Sequence, residues 1–207
     1  DLILKSPQTF PQADFIICES TYGDRLHEHH EDARQKLLNV VMETCVEKKG
    51  KLIIPAFSVG RTQELLYSLN QLSLENRLPK IPVYVDSPLS REATEIIKSY
   101  PKYFNTRVRK ILEVDDDPFD FPGLNFIGSA DESKALNENH QPMIIISASG
   151  MADAGLGVEV PARHVVQVLR LFERRGGARL DLALAERGVQ HHGRPVEQCA
   201  DILQGPW

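Results

Sequence analysis

The sequence predicts an α/β fold, with a mostly parallel sheet and helices on both of its faces. Between residues 14 and 155, short and almost wholly apolar runs alternate with longer amphipathic stretches. Strands that are apolar throughout are typical of parallel sheets covered on both faces. A strand–helix–strand order places the helices in layers on either side of such a sheet. The chain has 207 residues, 42% hydrophobic and 26% charged, which is an ordinary globular composition.

Five apolar runs are predicted to be strands, at residues 15–18, 51–55, 81–86, 124–127 and 142–147. Apolar residues spaced three and four apart predict helices over residues 31–49 and 59–75. A third helix is expected to begin at Pro88, because proline is favoured in the first turn. Ser129 is expected to cap a fourth helix. The acidic, proline-containing stretch 113–123 is predicted to be a loop.

Composition and charge narrow the class of protein. Cys18, Cys45 and Cys199 lack the close spacing of a disulfide framework or a zinc ribbon, which makes a reducing cytoplasm the simplest setting. No run of about 18 apolar residues is present, so no transmembrane helix is expected. No signal peptide is recognised, and because the first residue is not Met we expect a piece of a longer protein. The net charge of -5 means that nucleic-acid binding would need a local basic groove.

The composition changes near Gly155. Residues 1–155 contain ten Lys, whereas residues 156–207 contain seven Arg and no Lys. This shift predicts a junction near residue 155, although a helical spacing of apolar residues persists at 165–172. A shifted reading frame and a genuine fused segment both account for the tail, and peptide mass mapping of the natural product separates them.

Small polar residues follow the predicted strands, at the edge of a parallel sheet where ligands bind. Hydroxyl groups and helix N-termini at such an edge suit phosphate. The alternative is that the serines are helix N-caps and that the arginine is an ordinary surface residue. The candidate site residues are Glu19, Ser58, Arg61, Ser87, Ser147, Ser149 and Gly150.

Five blocks in this order resemble the β-CASP family of metallo-β-lactamase-fold nucleases: ESTYGDR, IPAFSVGRTQELL, VYVDSPLS, ESKALN and IIISASGM. The resemblance covers residues 14–155. It implies that residues 1–13 end a metallo-β-lactamase core, that 14–155 form the β-CASP domain, and that 156–207 are a divergent tail.

The resemblance also implies a chemistry and roles for individual residues. In the family, zinc ions held by the core activate a water that attacks a phosphodiester. Glu19 would orient a catalytic histidine supplied by a later block. The other candidates, Ser58, Arg61, Ser87, Ser147, Ser149 and Gly150, would position the substrate strand or support the structure.

The family's H-x-H-x-D-H block and its later histidine blocks have no counterpart in this chain. The resemblance therefore implies no complete zinc site here, and we expect the isolated fragment to be inactive. His27, His29 and His30 have the wrong spacing for that block, and a solvated helix start is the favoured interpretation. Adventitious zinc or nickel binding by these histidines stays open.

The first interpretation is a fragment of a zinc-dependent hydrolase that cleaves single-stranded RNA and needs the missing core as its partner. DNA as the substrate, and endo- or exonuclease action, stay open. The alternative is a non-catalytic module that binds a nucleic acid or a protein partner. A small-molecule enzyme is the third interpretation, and the sequence contains neither G-x-G-x-x-G nor a P-loop to support it.

Overall fold

The computed structural model describes residues 2–6, 12, 14–15, 30–147, 166–169 and 182–184. Its helices are α1 (His30–Val41), α2 (Arg61–Leu74), α3 (Pro88–Lys98), α4 (Thr106–Ile111) and α5 (Ala130–Glu138). A π-helical turn, Met42–Glu47, continues α1, and a 3-10 turn, Pro101–Tyr103, follows α3. The strands are β1 (Lys51–Pro55), β2 (Val83–Asp86), β3 (Leu124–Phe126), β4 (Met143–Ser147), β5 (Val166–Leu169) and β6 (Leu182–Leu184).

The strands form one six-stranded sheet in the order β3-β2-β4-β1-β5-β6. Neighbouring strands are parallel except β5 and β6, which are antiparallel. The predicted α/β class with a mostly parallel sheet is therefore confirmed. Within the described residues, no helix combines the length and apolar character needed to cross a bilayer.

Helices cover both faces of the sheet, and the side chains of β1 show how. Leu52 and Ile54 point into a large core shared with α1, α2 and α4. Ile53 points to the other face, where it joins a smaller core with Leu136 of α5. Complete burial of each such side chain contributes roughly 1.5–3 kcal/mol.

Most of the predicted elements are confirmed. Strands form within all four predicted runs between residues 51 and 147, and helices form within or around residues 31–49, 59–75 and after Pro88. The first predicted strand, residues 15–18, lies outside the described residues except for Phe15, which is 91% exposed. The loop at 113–123 is confirmed, and α4 was not predicted.

The helical interpretation of residues 165–172 is wrong where the structure describes them. Val166–Leu169 is β5, which pairs with β1 in parallel. Without β5, that side of β1 would present unpaired N–H and C=O groups. The β-branched valines of this segment also fit a pleated surface better than a helix. The tail thus contributes two strands to the sheet.

Two titratable side chains are buried at the amino end of the central strands. Lys51 Nζ donates to the carbonyl oxygens of Leu136 at 2.7 Å and Asn137 at 3.2 Å, in the last turn of α5. Burial lowers the pKa of Lys51. Cys45 Sγ lies 3.6 Å from the carbonyl oxygen of Met143, and burial raises the pKa of its thiol to about 12. Cys45 is therefore an unreactive core residue.

The Cys45 thiol makes stability depend on pH. Its pKa is raised from 9.0 to about 12, so above pH 9.0 the unfolded chain loses this proton first and the unfolded state gains stability. We expect the free energy of unfolding to fall by about 1.4 kcal/mol per pH unit more steeply in the natural chain than in Cys45→Ala. Urea unfolding at about pH 8 and about pH 10.5 measures this difference. Parallel pH profiles for the two proteins would contradict it.

Candidate nucleic-acid interface

Three neighbouring strands end together at the carboxyl edge of the sheet. Ser147, the last residue of β4, is in register with Pro55 of β1 and with Asp86 of β2. The backbone N–H of Ala56 extends the ladder by donating to the carbonyl of Ser147 at 2.8 Å. The residues that follow these strands therefore meet at one edge, which is where open parallel sheets bind ligands.

The structure brings Ser58 and Ser87 together at this edge, with their Oγ atoms 3.3 Å apart. Ser87 Oγ also accepts from the backbone N–H of Ser90 at 3.1 Å. Because that bond uses a lone pair, the hydroxyl proton of Ser87, a residue that is 5% exposed, can be donated to Ser58. Ser147 is in register with Asp86, the residue before Ser87, and is 3% exposed.

The capping interpretation holds for one serine of this pair and not for the other. Ser87 is the N-cap of α3. Ser58 does not cap α2, because Gly60 occupies that N-cap position. The hydroxyl of Ser58 is therefore held by its contact with Ser87 rather than by a helix end.

A buried glutamine shapes the turn between β1 and α2. Gln63 Nε2 donates to the carbonyl of Ser58 at 3.0 Å and to Thr94 Oγ1 at 2.9 Å. Its Oε1 accepts from the backbone N–H of Gly60 at 2.7 Å. Gln63 thus joins the turn to α3 and holds Ser58 against Ser87. The signal in the sequence is a polar residue one helical turn before Leu66, on the apolar face of α2.

Arg61 stands at the start of α2, and its Nη1 atom lies 2.6 Å from Glu64 Oε2. The Arg61 side chain is 34% exposed. Pairs of this kind on a helix surface contribute only about 0.3–0.5 kcal/mol. A phosphate can compete with Glu64, since the guanidinium forms two-pronged hydrogen bonds with phosphate oxygens.

Asp86 supplies a carboxylate at the same edge. Its Oδ2 accepts from Ser133 Oγ of α5 at 2.7 Å. Ser133 belongs to the ESKALN block, so this bond connects two of the quoted sequence blocks across the edge.

Large apolar side chains are exposed beside the serines. Phe57 is 69% exposed and Val59 62% exposed in the turn after β1, and Leu89 is 56% exposed in the first turn of α3. The contact between Ser58 and Ser87 brings these two segments side by side. Exposed apolar groups beside polar ones are typical of contact surfaces.

Several predicted site residues lie outside the described part of the chain: Glu19, His27, His29, Ser149 and Gly150. His30 is the first residue of α1, as expected for a helix start, and only its backbone is described. Within residues 30–147 and the other described segments, no group of three or more His, Cys, Asp or Glu is placed to hold a metal ion. The hydroxyls and the carboxylate at the edge do not fit a zinc site, which needs a tetrahedral set of N, S or carboxylate ligands.

The fold and the edge define an α/β domain whose small polar residues collect at the carboxyl end of a parallel sheet. Comparison with protein families matches residues 62–166, just over half of the chain, to the Beta-Casp domain. The chain belongs to the β-CASP family, as the five sequence blocks predict.

The chain is 34% identical over 153 residues to "Ribonuclease TTHA0252" of Thermus thermophilus, covering 74% of this chain and 35% of that protein. It is 37% identical over 153 residues to "Transcription termination factor FttA" of Methanocaldococcus jannaschii, covering 72% and 24%. It is 32% identical over 148 residues to "Cleavage and polyadenylation specificity factor 73" of Drosophila melanogaster, covering 71% and 21%. The chain thus matches between 21% and 35% of the length of these relatives.

Gly60 is expected to be needed for the turn that carries Ser58. Its φ is +84°, and a Cβ built there meets nothing within 4 Å, so the cost of a side chain is conformational and not steric. We expect Gly60→Ala to lower the free energy of unfolding by about 1–3 kcal/mol. Gly128 is the matched control, because it has an ordinary φ and its nearest neighbour, Glu132 Oε2, is 3.8 Å away. Equal stability of Gly60→Ala and Gly128→Ala in urea unfolding would contradict this expectation.

Proposed function

We propose that this chain supplies the β-CASP domain of an enzyme that cleaves RNA phosphodiester bonds, and that its carboxyl sheet edge holds phosphates of the RNA strand. The observation that carries the proposal is the Ser58–Ser87 hydroxyl pair, 3.3 Å apart at the N-terminus of α3. The relatives support RNA as the substrate, since one is named a ribonuclease and another a cleavage and polyadenylation factor.

The edge offers several groups that bind phosphate. The half-buried Ser58 hydroxyl donates to a phosphate oxygen, the buried Ser87 hydroxyl holds Ser58 in place, and the N-terminus of α3 adds the attraction of its dipole. Arg61 supplies a positive charge once a phosphate competes with Glu64. Phe57 offers an exposed ring for stacking against a base. These groups bind and orient a strand and form no bond with it.

The chemistry of bond cleavage is assigned to the remainder of the intact protein. Zinc, when bound there, would supply a hydroxide nucleophile and a Lewis acid. Glu19 keeps the role that the resemblance gives it, as the carboxylate partner of a catalytic histidine. The spacing of the cysteines supports a reducing, cytoplasmic setting for this reaction.

The substitution Ser87→Asp tests whether the carboxyl edge binds phosphate, and it retains an N-cap on α3. Asp is as good an N-cap as Ser and favours the helix N-terminus, which offsets part of the desolvation cost of a carboxylate at a position that is 5% exposed. Its carboxylate repels phosphate, and we expect the affinity for single-stranded RNA, measured by fluorescence anisotropy, to fall about tenfold or more.

Ser129→Asp is the matched control for this substitution. Ser129 is likewise an N-cap, of α5, and its Oγ accepts from the backbone N–H of Glu132 at 3.2 Å, but it is exposed where Ser87 is buried, so the RNA affinities are compared under conditions in which both variants are fully folded. Both variants change the net charge equally, and thermal unfolding checks that both stay folded. An equal loss of RNA affinity in the two variants would show that net charge alone causes the effect. The carboxyl edge would then not be a phosphate-binding site.

The chain alone is expected to bind RNA without cleaving it. A labelled single-stranded RNA incubated with the chain and added zinc should stay intact under conditions in which anisotropy shows a complex. Zinc-dependent cleavage that Glu19→Ala abolishes would show instead that the chain carries a complete catalytic centre.

A further inference from the structure

A second surface of the chain combines exposed tyrosines with cations, and the carboxyl edge does not use it. It lies after the C-terminal end of α3, in the 3-10 turn and in α4. All its members are exposed. We call the exposed residues Tyr100, Lys102, Tyr103, Arg107, Arg109 and Lys110 of this segment the tyrosine–cation patch, in which Lys102 is the cation that contacts a tyrosine ring.

The two tyrosines form an aromatic pair open to solvent. Tyr100 is 52% exposed and Tyr103 is 55% exposed, and their ring centroids lie 6.2 Å apart with an interplanar angle of 43°. Lys102 Nζ lies 5.0 Å from the centroid of the Tyr103 ring. Aromatic faces beside a cation are the arrangement on which bases of single-stranded nucleic acids stack.

The backbone beneath the pair is firmly held. Phe104 is 2% exposed and packs edge-to-face on Phe119, with centroids 6.0 Å apart. The backbone N–H of Lys5 donates to the carbonyl of Tyr103 at 3.0 Å, and Leu4 forms a β-bridge with Phe104. The tyrosines therefore stand on an anchored turn, and little backbone order has to be gained when a base stacks on them.

The cations of the patch have no described carboxylate as a partner. No acidic residue occurs between Glu95 and Glu113 in the sequence. Among the described residues, Lys102, Arg107, Arg109 and Lys110 form no ion pair, whereas the neighbouring Lys98 lies 2.7 Å from Asp117. The positive excess is confined to residues 96–112, because the acidic stretch 113–123 follows α4 directly, and within this segment it favours an anionic partner.

We propose that the tyrosine–cation patch is a second binding surface for single-stranded RNA, where bases stack on Tyr100 and Tyr103 and phosphates lie along the cations. The choice of RNA as the ligand rests on the proposed function. A protein partner fits less well, because burying four unpaired cations against an ordinary protein surface carries a large desolvation cost. An RNA backbone neutralises them as it binds.

The length of α3 sets the separation between the patch and the carboxyl edge. Ser87 caps the N-terminus of α3, and Tyr100 follows its C-terminal end. Eleven residues at 1.5 Å each give about 16 Å, which is about five stacked nucleotides at 3.4 Å each. An RNA longer than this reaches both surfaces and is expected to bind more tightly than a shorter one.

The aromatic pair is tested with the whole 207-residue chain and a labelled oligouridylate of about twelve nucleotides, by fluorescence anisotropy. We expect the double variant Tyr100→Ala/Tyr103→Ala to bind about tenfold more weakly or worse, because each base loses its stacking partner. The double variant Tyr100→Phe/Tyr103→Phe keeps the rings and should bind as the natural chain does. Thermal unfolding confirms that both double variants are folded. Equal affinity of the Ala and Phe variants would overturn the proposal.

The cations are tested by the salt dependence of binding. Lys102→Gln and Arg109→Gln are each expected to reduce the slope of log K against log salt by roughly 0.7, the value for one phosphate contact in a single strand. Lys134→Gln on α5 is the control, because that lysine is 75% exposed and α5 packs on the opposite face of the sheet from α4. Equal slopes in all three variants would show that Lys102 and Arg109 do not contact RNA phosphates.

The experiments test the carboxyl-edge proposal and the patch proposal separately. If Ser87→Asp weakens binding and the patch variants do not, the proposed function stands and the patch proposal is wrong. If only the patch variants weaken binding, the assignment of the carboxyl edge is wrong. If the Ala double variant keeps its RNA affinity but abolishes self-association of the chain in size-exclusion chromatography, the patch is a protein contact.

Discussion

The burial of β1 and β4 on both faces is the constraint on which the rest of the structure depends. Ile53 and Ile145 pack towards α5, while Leu52 and Ile146 pack into the larger core on the opposite face. Two apolar faces leave no position inside these strands for a functional polar side chain. Polar groups therefore collect at the two ends of the sheet, the serines at the carboxyl end and Lys51 at the amino end.

Gln63 links the buried core to the carboxyl edge of the sheet. It is fully buried, and its amide joins the Ser58 carbonyl to the hydroxyl of Thr94 on α3. Loss of this side chain would leave buried partners unsatisfied, at about 1–3 kcal/mol for each group. The position of Ser58 is thus set by a fully buried residue, and the turn is ordered by the core itself.

The sequence predicts the parts of this molecule that depend on local pattern. The strand at 142–147 and the helix that Ser87 caps follow from apolar runs and cap chemistry, which are readable from neighbouring residues. The Ser58–Ser87 contact joins residues 29 positions apart, and it exists only because β1, β4 and β2 end in register. The strand β5 was mistaken for a helix because its partner, β1, is more than a hundred residues earlier. The Ser58–Ser87 contact and strand β5 both depend on pairing between distant segments, which a local sequence pattern does not predict.

Helix α3 connects the two proposed RNA surfaces, one at each of its ends. Its N-terminus presents Ser87 and a partial positive charge to phosphate, and its C-terminal end leads into Tyr100. Between them, Leu89 and Ile96 are 56% and 62% exposed, and they lie on the same face because seven residues make two helical turns. The two proposals together require an RNA strand to run along α3 from the carboxyl edge to the tyrosine–cation patch. None of these contacts reads the hydrogen-bonding edge of a base, so the path tolerates many RNA sequences.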